Sequence, residues 1–391
     1  MKSFNVRFAV LILIAFTLGC SEFLIVGILN DLALEFSKPV STIGLLVTIF
    51  AFVYAICTPL ITMLISKFKY YHAMIVLLLI YILGNILSAT SINYSMLVIS
   101  RVITAAVSGS LISIALTYGN AISTPQKRPV VIAWIFSGFS IATVVGVPVG
   151  TYISTISSWH IAFWVIIALS TVTLTLAILS LPQDLKSAPS KNGSNQLAIF
   201  KDKRIIIGLL IPVFVASATH VFNTFMAPIF TRLIDFNNME LSFILFIIGV
   251  ISIISSQLAA VVATHGGLKL FPYILTAEII LFMLMPFSYH NSVFSVGVIL
   301  TFELVTGLLG ASITVHFFDV AEESYPQSMV LAASFNPVFF NLGISIGSAT
   351  GSLIVSNLGL TSIGFGSTIY AVISLIAVII LNKILNTHKK A

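Results

Sequence analysis

Stretches of about twenty mostly apolar residues, the length a helix needs to cross a bilayer, recur from one end of the chain to the other with short polar breaks between them. Twelve membrane-spanning helices are predicted, at about 8–29, 41–65, 72–91, 96–119, 130–152, 160–181, 205–230, 241–263, 270–288, 293–318, 329–355 and 362–385. The first follows Lys2 and Arg7 in the manner of a signal peptide, but it is too long, lacks a small-x-small cleavage site and carries Glu22 where only apolar residues belong. It is expected to stay as the first helix. Residues 182–204 make up the long polar stretch, with Ser, Pro, Asn and Gly through its middle, and read as a flexible linker. The expected organisation is therefore an all-α membrane protein: a six-helix bundle over 1–181, a cytoplasmic linker over 182–204 and a second six-helix bundle over 205–391.

Composition agrees with this pattern. Of 391 residues, 58% are hydrophobic and 8% charged, and mean hydropathy is +1.13, whereas soluble domains carry roughly 25% charged residues. The formal net charge of +6 would suggest an acidic partner if it were spread evenly. It is not: with the first residues inside, every Lys and Arg except Lys38, Arg101 and Arg232 falls on an inner segment. That bias follows the positive-inside rule, sets both termini in the cytoplasm and accounts for the charge without any nucleic-acid partner. Cys20 and Cys57 both lie within predicted spans and read as small apolar residues, not a disulfide.

Against this background the polar residues inside spans stand out. Glu22 lies in the first span, where an ionised side chain at mid-depth costs roughly 2.5–3.5 kcal/mol on insertion scales, so it is expected to face protein or a wet cavity. It is either a working acid or a structural one bonded to a neighbouring helix. Arg101, in the fourth span, either snorkels to the interface or faces the bundle interior. Ala105 and Gly109, at i+4 and i+8 on its face, favour the interior. His220 and Asn223 share one face of the seventh span, and His220 reads equally as a satisfied buried polar group. Glu303 in the tenth span is the better candidate for a cavity position, Glu278 in the ninth for packing or an interface. Asn336, just before Pro337, either lines a pathway or steadies a bend. Asp319, Glu322 and Glu323 close the tenth span and are expected to pair with basic loops.

The fifth span is the most patterned. Gly138, Gly146 and Gly150 supply small faces on which another backbone can close in, and Pro148 removes a helical hydrogen bond and bends the helix. Its role is packing and bending. An offset of 201 residues brings Gly146 and Gly150 onto Gly347 and Gly351, Glu22 onto Asn223, and Arg101 to within one residue of the match to Glu303. Two parallel repeats related by an axis along the membrane normal are one known transporter architecture.

These residues resemble the major facilitator superfamily over essentially the whole chain, and within it the twelve-helix drug:proton antiporter branch that includes arabinose and sugar efflux permeases, purine nucleoside efflux pumps and chloramphenicol exporters. Gly146, Pro148 and Gly150 look like that branch's antiporter motif; Arg101 and Gly109 look like R-x-x-x-G-x-x-x-G with Ala105 in place of the first glycine. Glu22, Phe23 and Gly27 are similar to E-F-x-x-x-G, and Ser158, Trp159 and His160 to G-W-R. The D-R-x-G-R-R loop after the second span has become Ser66 to Tyr71, and the loop after the eighth, Ala263 to Gly267, also lacks the acid and arginine.

The resemblance implies proton-coupled export of a small organic molecule such as a drug, sugar or purine nucleoside, by alternating access of two pseudo-symmetric bundles. Glu22 and Arg101 would be the proton-coupling pair and His220, Asn223, Glu303 and Asn336 cavity residues. The protein would sit as a monomer in the cytoplasmic membrane, with no cofactor and no metal. The alternatives are an uncoupled facilitator of a small polar solute and a non-transporting receptor, against which the lack of a soluble domain argues. An intramembrane enzyme is disfavoured because no G-x-S-x-G, H-E-x-x-H or nucleotide-binding constellation is present.

Overall fold

The computed structural model of the protein describes residues 4–65, 68–123, 128–184, 196–325 and 328–388. Among these, twelve helices are long and apolar enough to cross a membrane: α1 Phe4–Gly27, α2 Val40–Thr62, α3 Tyr70–Ala89, α4 Tyr94–Gly119, α5 Trp134–Ile156, α6 Trp159–Ser180, α7 Lys203–Arg232, α8 Asn238–Ala263, α9 Phe271–Ser288, α10 Ser292–Ser324, α11 Ser334–Leu358 and α12 Leu360–Thr387. Each overlaps one predicted span. Most of the expected linker, 185–195, lies outside the described residues, as do Ser66, Lys67 and the basic residues Lys2, Lys127, Lys389 and Lys390.

Turn residues start several of these helices by accepting hydrogen bonds from orphan backbone N–H groups. Asn93 caps α4 through the N–H of Met96, Asn291 caps α10 through that of Phe294, and Ser158 caps α6 through that of Ile161. At α8, Asn237 accepts from Met239 and Glu240 while the Glu240 carboxylate accepts from the Asn237 N–H, a reciprocal capping box. In α10 the helix runs past the apolar layer to Ser324, because Glu322 and Glu323 are good helix formers that need no lipid.

The helices are less regular than hydropathy suggests. α5 contains a π-turn at Ala142–Gly146 immediately before Pro148; a proline leaves the preceding turn short of a donor, and a widened turn is one way the backbone absorbs this. α7 is interrupted at Thr224 and Phe225 and resumes as the short helix Met226–Arg232, and α1 is followed in the same way by Leu29–Glu35.

Contacts group the chain into two compact units. The first comprises Met1–Pro39, Ile49–Pro189 and Asn237–Gly249, and the second Val40–Thr48, Ser190–Phe236 and Val250–Ala391. The start of α2 thus belongs with the second unit, where Gly44 abuts the Phe225 ring, and the start of α8 with the first, where Gly249 abuts the Val144 backbone. Each unit has its own apolar core, around Leu11, Leu78, Leu111 and Tyr118 in the first and around Phe271, Phe317, Phe335 and Leu381 in the second. Exposed Leu83, Phe243, Phe287 and Ile369 suit contact with lipid, and the polar side chains Asn85, Ser88, Ser100 and Ser217 lie fully buried. Polar inside and apolar outside is the arrangement expected where the solvent is hydrocarbon.

Candidate functional site

In the first unit the position of Glu22 follows from how α1 lies on α5. A Cβ at Gly138 would meet the Ile12 carbonyl oxygen at 2.7 Å and the Phe16 nitrogen at 2.9 Å, so backbone touches backbone there. Further along, Gly146 abuts the Cys20 thiol, Gly150 the Leu24 side chain, and Gly27 of α1 the Thr151 hydroxyl. Cys20, Leu24 and Gly27 therefore mark the α5-facing stripe of α1. Glu22 is two residues from both Cys20 and Leu24, about 200° around the helix, and points away from α5. Its side chain is half-buried.

Arg101 is 1% exposed, so it does not snorkel. Its Nη1 donates to the Ser21 carbonyl oxygen at 2.9 Å and the Ser21 hydroxyl at 3.2 Å, and its Nη2 to the Glu22 carbonyl oxygen at 3.3 Å. Its guanidinium carbon lies 4.3 Å from the centroid of the Phe50 ring of α2, a cation–π contact. Among the described residues no basic group comes within 4.0 Å of the Glu22 carboxylate. The arginine's hydrogen bonds go to the backbone on which the acid is mounted, and its charge acts on the carboxyl group without a direct ion pair. Nearby, Phe50, Tyr54 and Ala105 form a small buried cluster, and Tyr54 is near enough to feel the charge on Glu22.

The grip continues through α3. The Ser21 hydroxyl donates to Asn85 Oδ1 at 2.8 Å, Asn85 Nδ2 donates to the Tyr81 carbonyl at 2.9 Å, and the Tyr81 hydroxyl donates to the Thr17 carbonyl at 3.0 Å. Thr17 in turn meets Thr173 of α6, hydroxyl to hydroxyl, at 3.1 Å. One chain of polar side chains thus joins α1 to α3, α4 and α6. Sequence reasoning missed it: Asn85 is visible as a polar residue within a span, but its partner is unreadable from one sequence.

The second unit repeats the scaffold with different chemistry. On α11, Gly343 abuts the Val213 carbonyl of α7, Gly347 the Ser217 carbonyl, and Gly351 the Phe225 ring at 3.0 Å. With the 201-residue offset Leu24 corresponds to Phe225, and each meets the matching glycine, Gly150 or Gly351. Glu22 and Asn223, two residues earlier, are thus related by the repeat. His220 Nδ1 lies 3.1 Å from the Ala216 carbonyl and its ring packs edge-on to Phe340.

Asn223 lies against the Glu303 carboxyl group. Glu278 is 0% exposed and Glu303 7%, and the two interact electrostatically. Glu278 Oε1 accepts from Thr306 at 2.7 Å, and the Thr306 hydroxyl is 3.2 Å from that of Thr219 on α7. Of the two possibilities for Glu278, packing rather than an interface matches its position. Asn336 stands apart from this group and donates to Thr314 of α10 at 2.8 Å. Where α7 begins, Arg204 is clasped by Asp202 and Glu323; Glu323 pairs with a base as the sequence suggested. Among the described residues no group of three or more His, Cys, Asp or Glu side chains forms a metal site.

Residues 11–335 match the family described as Major Facilitator Superfamily. The chain is 27% identical over 346 residues to the uncharacterized MFS-type transporter YtbD of Bacillus subtilis (strain 168), covering 88% of this chain and 87% of that one. It is 25% identical to a probable sugar efflux transporter of Mannheimia succiniciproducens, covering 95% and 92%. Among solved structures, a D-xylose-proton symporter superposes with a TM-score of 0.77 at 14% identity, over 96% of this chain and 97% of that one. That last likeness concerns the fold.

Proposed function

Because the chain belongs to the Major Facilitator Superfamily and is a multi-pass membrane transporter, we propose that it exports a small organic molecule in exchange for protons. The observation that carries the reading is the contrast at Glu22. The backbone at Ser21 and Glu22 is held by two hydrogen bonds from Arg101, with a third to the Ser21 hydroxyl, while the carboxylate itself is half-buried and among the described residues pairs with no base within 4.0 Å. An acid that must take up and release a proton needs a fixed mounting and a free head.

In this reading the two six-helix bundles, 1–181 and 205–391, take part in alternating access, with Glu22 as the proton-coupling acid of the first and His220, Asn223, Glu303 and Asn336 as the substrate-contact candidates of the second. Both termini face the cytoplasm, as the distribution of Lys and Arg requires. The protein works as a monomer. The relation to a probable sugar efflux transporter makes sugars the first probes, with purine nucleosides beside them.

Everted membrane vesicles energised to an acidic lumen supply the test. Pentoses, hexoses, purine nucleosides and cationic dyes are added in turn, and discharge of the pH gradient is followed by a fluorescent amine. At least one probe should discharge the gradient in the parent protein, and Glu22→Gln should reduce the effect by about a hundredfold or more, the range in which removing an essential proton-transfer group acts. Substrate movement that persists unchanged after the gradient is collapsed, with Glu22→Gln silent, would instead establish an uncoupled facilitator.

A further inference from the structure

A second group of acids lies in the C-terminal unit, away from Glu22 in sequence and unlike it in surroundings. Glu278 of α9 and Glu303 of α10 are both more than nine-tenths buried. Three acceptor oxygens in this group have no hydrogen-bond partner: Glu278 Oε2, Glu303 Oε1 and Asn223 Oδ1. The donor that reaches Glu278 is the Thr306 hydroxyl.

Among the described residues no cation lies within 4.0 Å of either carboxyl group. Within the helices α8 to α12 themselves Lys383 is the one Lys or Arg, and Lys269 stands in the turn before α9; Lys383 lies beside Pro272 in the first turn of α9. On α7, His220 is turned to its own Ala216 carbonyl and the Phe340 ring, while Arg204 and Arg232 lie at the two ends of the helix. On α12, Tyr370 is the titratable residue between Gly364 and Lys383, and its hydroxyl is bonded to Thr350. Tyr273 and Glu278 are the titratable residues of α9, and α11 has none. α8 contributes Glu240 in its first turn. The remaining titratable residues of α10, His316, Asp319, Glu322 and Glu323, fall three or more turns beyond Glu303. The rings of Phe222, Phe282 and Phe302 close the surroundings, with Phe282 and Phe302 only 4.7 Å apart at their centroids.

Two carboxylates buried together without a counter-charge repel each other and lose their hydration, so both cannot be ionised there. A proton removes one negative charge and turns an unpartnered acceptor into a donor for another, which answers both deficits at once. We propose that Glu278 and Glu303 form a second proton-binding site, contained wholly within the C-terminal unit, that holds at least one proton in common at neutral pH. Asn223 and Thr219 couple it to α7, so a shift of that helix alters how the shared proton is held. Its use in transport rests on the proton-exchange reading above; the site itself does not.

Infrared difference spectroscopy on the purified full-length protein tests the site without any substrate. In a Glu22→Gln background, a protonated-carboxyl band should be present at pH 7 and should lose intensity as pH is raised. Glu278→Gln or Glu303→Gln should each remove that titration or move it by at least one pH unit. Thr306→Val, which keeps both carboxyls, should shift the band's frequency without abolishing it, and so guards against a Gln variant that fails to fold. Absence of the band at pH 7 in the Glu22→Gln protein, or its persistence unchanged through both acid substitutions, would overturn the proposal. So would a rise in melting temperature when choline is replaced by sodium at constant ionic strength, lost in Glu303→Gln, because a metal cation would then be the occupant. Failure of the vesicle assay alongside a titrating pair would refute only the transport reading.

Discussion

The two units mount a first helix on a fifth in the same way and then use the space beside it differently. In the first, Gly138, Gly146 and Gly150 of α5 receive α1; in the second, Gly343, Gly347 and Gly351 of α11 receive α7. Beside α1 stands a guanidinium with its hydrogen bonds directed at backbone oxygens. Beside α7, which itself carries the Asn223 amide, stand two carboxyls, one bonded to a threonine. A buried Arg carries its charge under all ordinary conditions, whereas a buried carboxyl shed of a partner can become neutral. The repeat therefore preserves packing and leaves the electrostatics free to diverge: the first half sets a guanidinium beside its acid, whereas among the described residues the second half sets its two acids beside an amide and a threonine.

The sharpest way to break the packing half of this comparison is to fill the glycines. At Gly146 the added atom meets the Cys20 thiol, a side chain; at Gly347 it meets the Ser217 carbonyl, which is backbone. Gly347→Leu should therefore cost more than the roughly 1–3 kcal/mol usual for overpacking, with most of the protein lost from the membrane fraction. Gly146→Ala should be milder and should be rescued by Cys20→Ala, measured as melting temperature in detergent. Gly347→Ala should not be rescued by Ser217→Ala. Equal rescue in both halves would mean that the two contacts are not of different kinds.

These contacts also show what one sequence reveals. The twelve spans were legible because a bilayer requires unbroken apolar runs of a fixed length, and Gly146, Gly150, Gly347 and Gly351 were legible because the same spacing recurs in both halves. Glu22 and Arg101 were legible as charges in the wrong solvent. Their relation was not. The sequence left Arg101 as an opposing charge or a hydrogen-bond fork; its fork reaches the carbonyl oxygens of Ser21 and Glu22, and a backbone acceptor has no residue-type signature. Ser21, Asn85, Tyr81 and Thr17 were hidden for a related reason: single Ser, Thr and Tyr residues are common in membrane helices, and only a third dimension shows which of them meet. The π-turn at Ala142–Gly146 was half visible, since Pro148 announces a disturbed turn without saying what form it takes.

A smaller effect sharpens the electrostatic half of the comparison. Arg101→Lys keeps the charge but replaces a planar fork by a point donor, so the Ser21 and Glu22 carbonyls cannot both be held as they are now. Loss of one charge-assisted bond should cost about 1.5–3 kcal/mol. Thr306→Val in the other half removes a hydroxyl bond between helices, of a kind that averages about 0.6 kcal/mol in membranes. The ratio is the prediction: chemical denaturation in mixed micelles should find Arg101→Lys the more damaging by at least twofold. If Thr306→Val is the worse of the two, the second unit depends on its donor to Glu278 more than the repeat suggests.

The smallest effect concerns the short helices that follow α1 and the break in α7. Leu29–Glu35 carries Asp31, bonded to the Ser154 hydroxyl of α5, while Met226–Arg232 carries no acid. Partial burial pushes the Asp31 carboxyl above its ordinary value of 3.8, and the Ser154 hydroxyl opposes the shift without cancelling it. The folded protein therefore binds this proton more tightly than the unfolded chain does. As pH falls from neutral through the raised value, folding gains stability from Asp31, and the gain is complete below the ordinary value. Asp31→Asn removes the titration and still offers Ser154 an acceptor. The melting temperature of the variant should exceed that of the parent at pH 7, and the gap should narrow as pH is lowered toward 5. A gap independent of pH would show that the hydroxyl, and not the burial, governs this acid, and that the two short helices differ in shape but not in electrostatics.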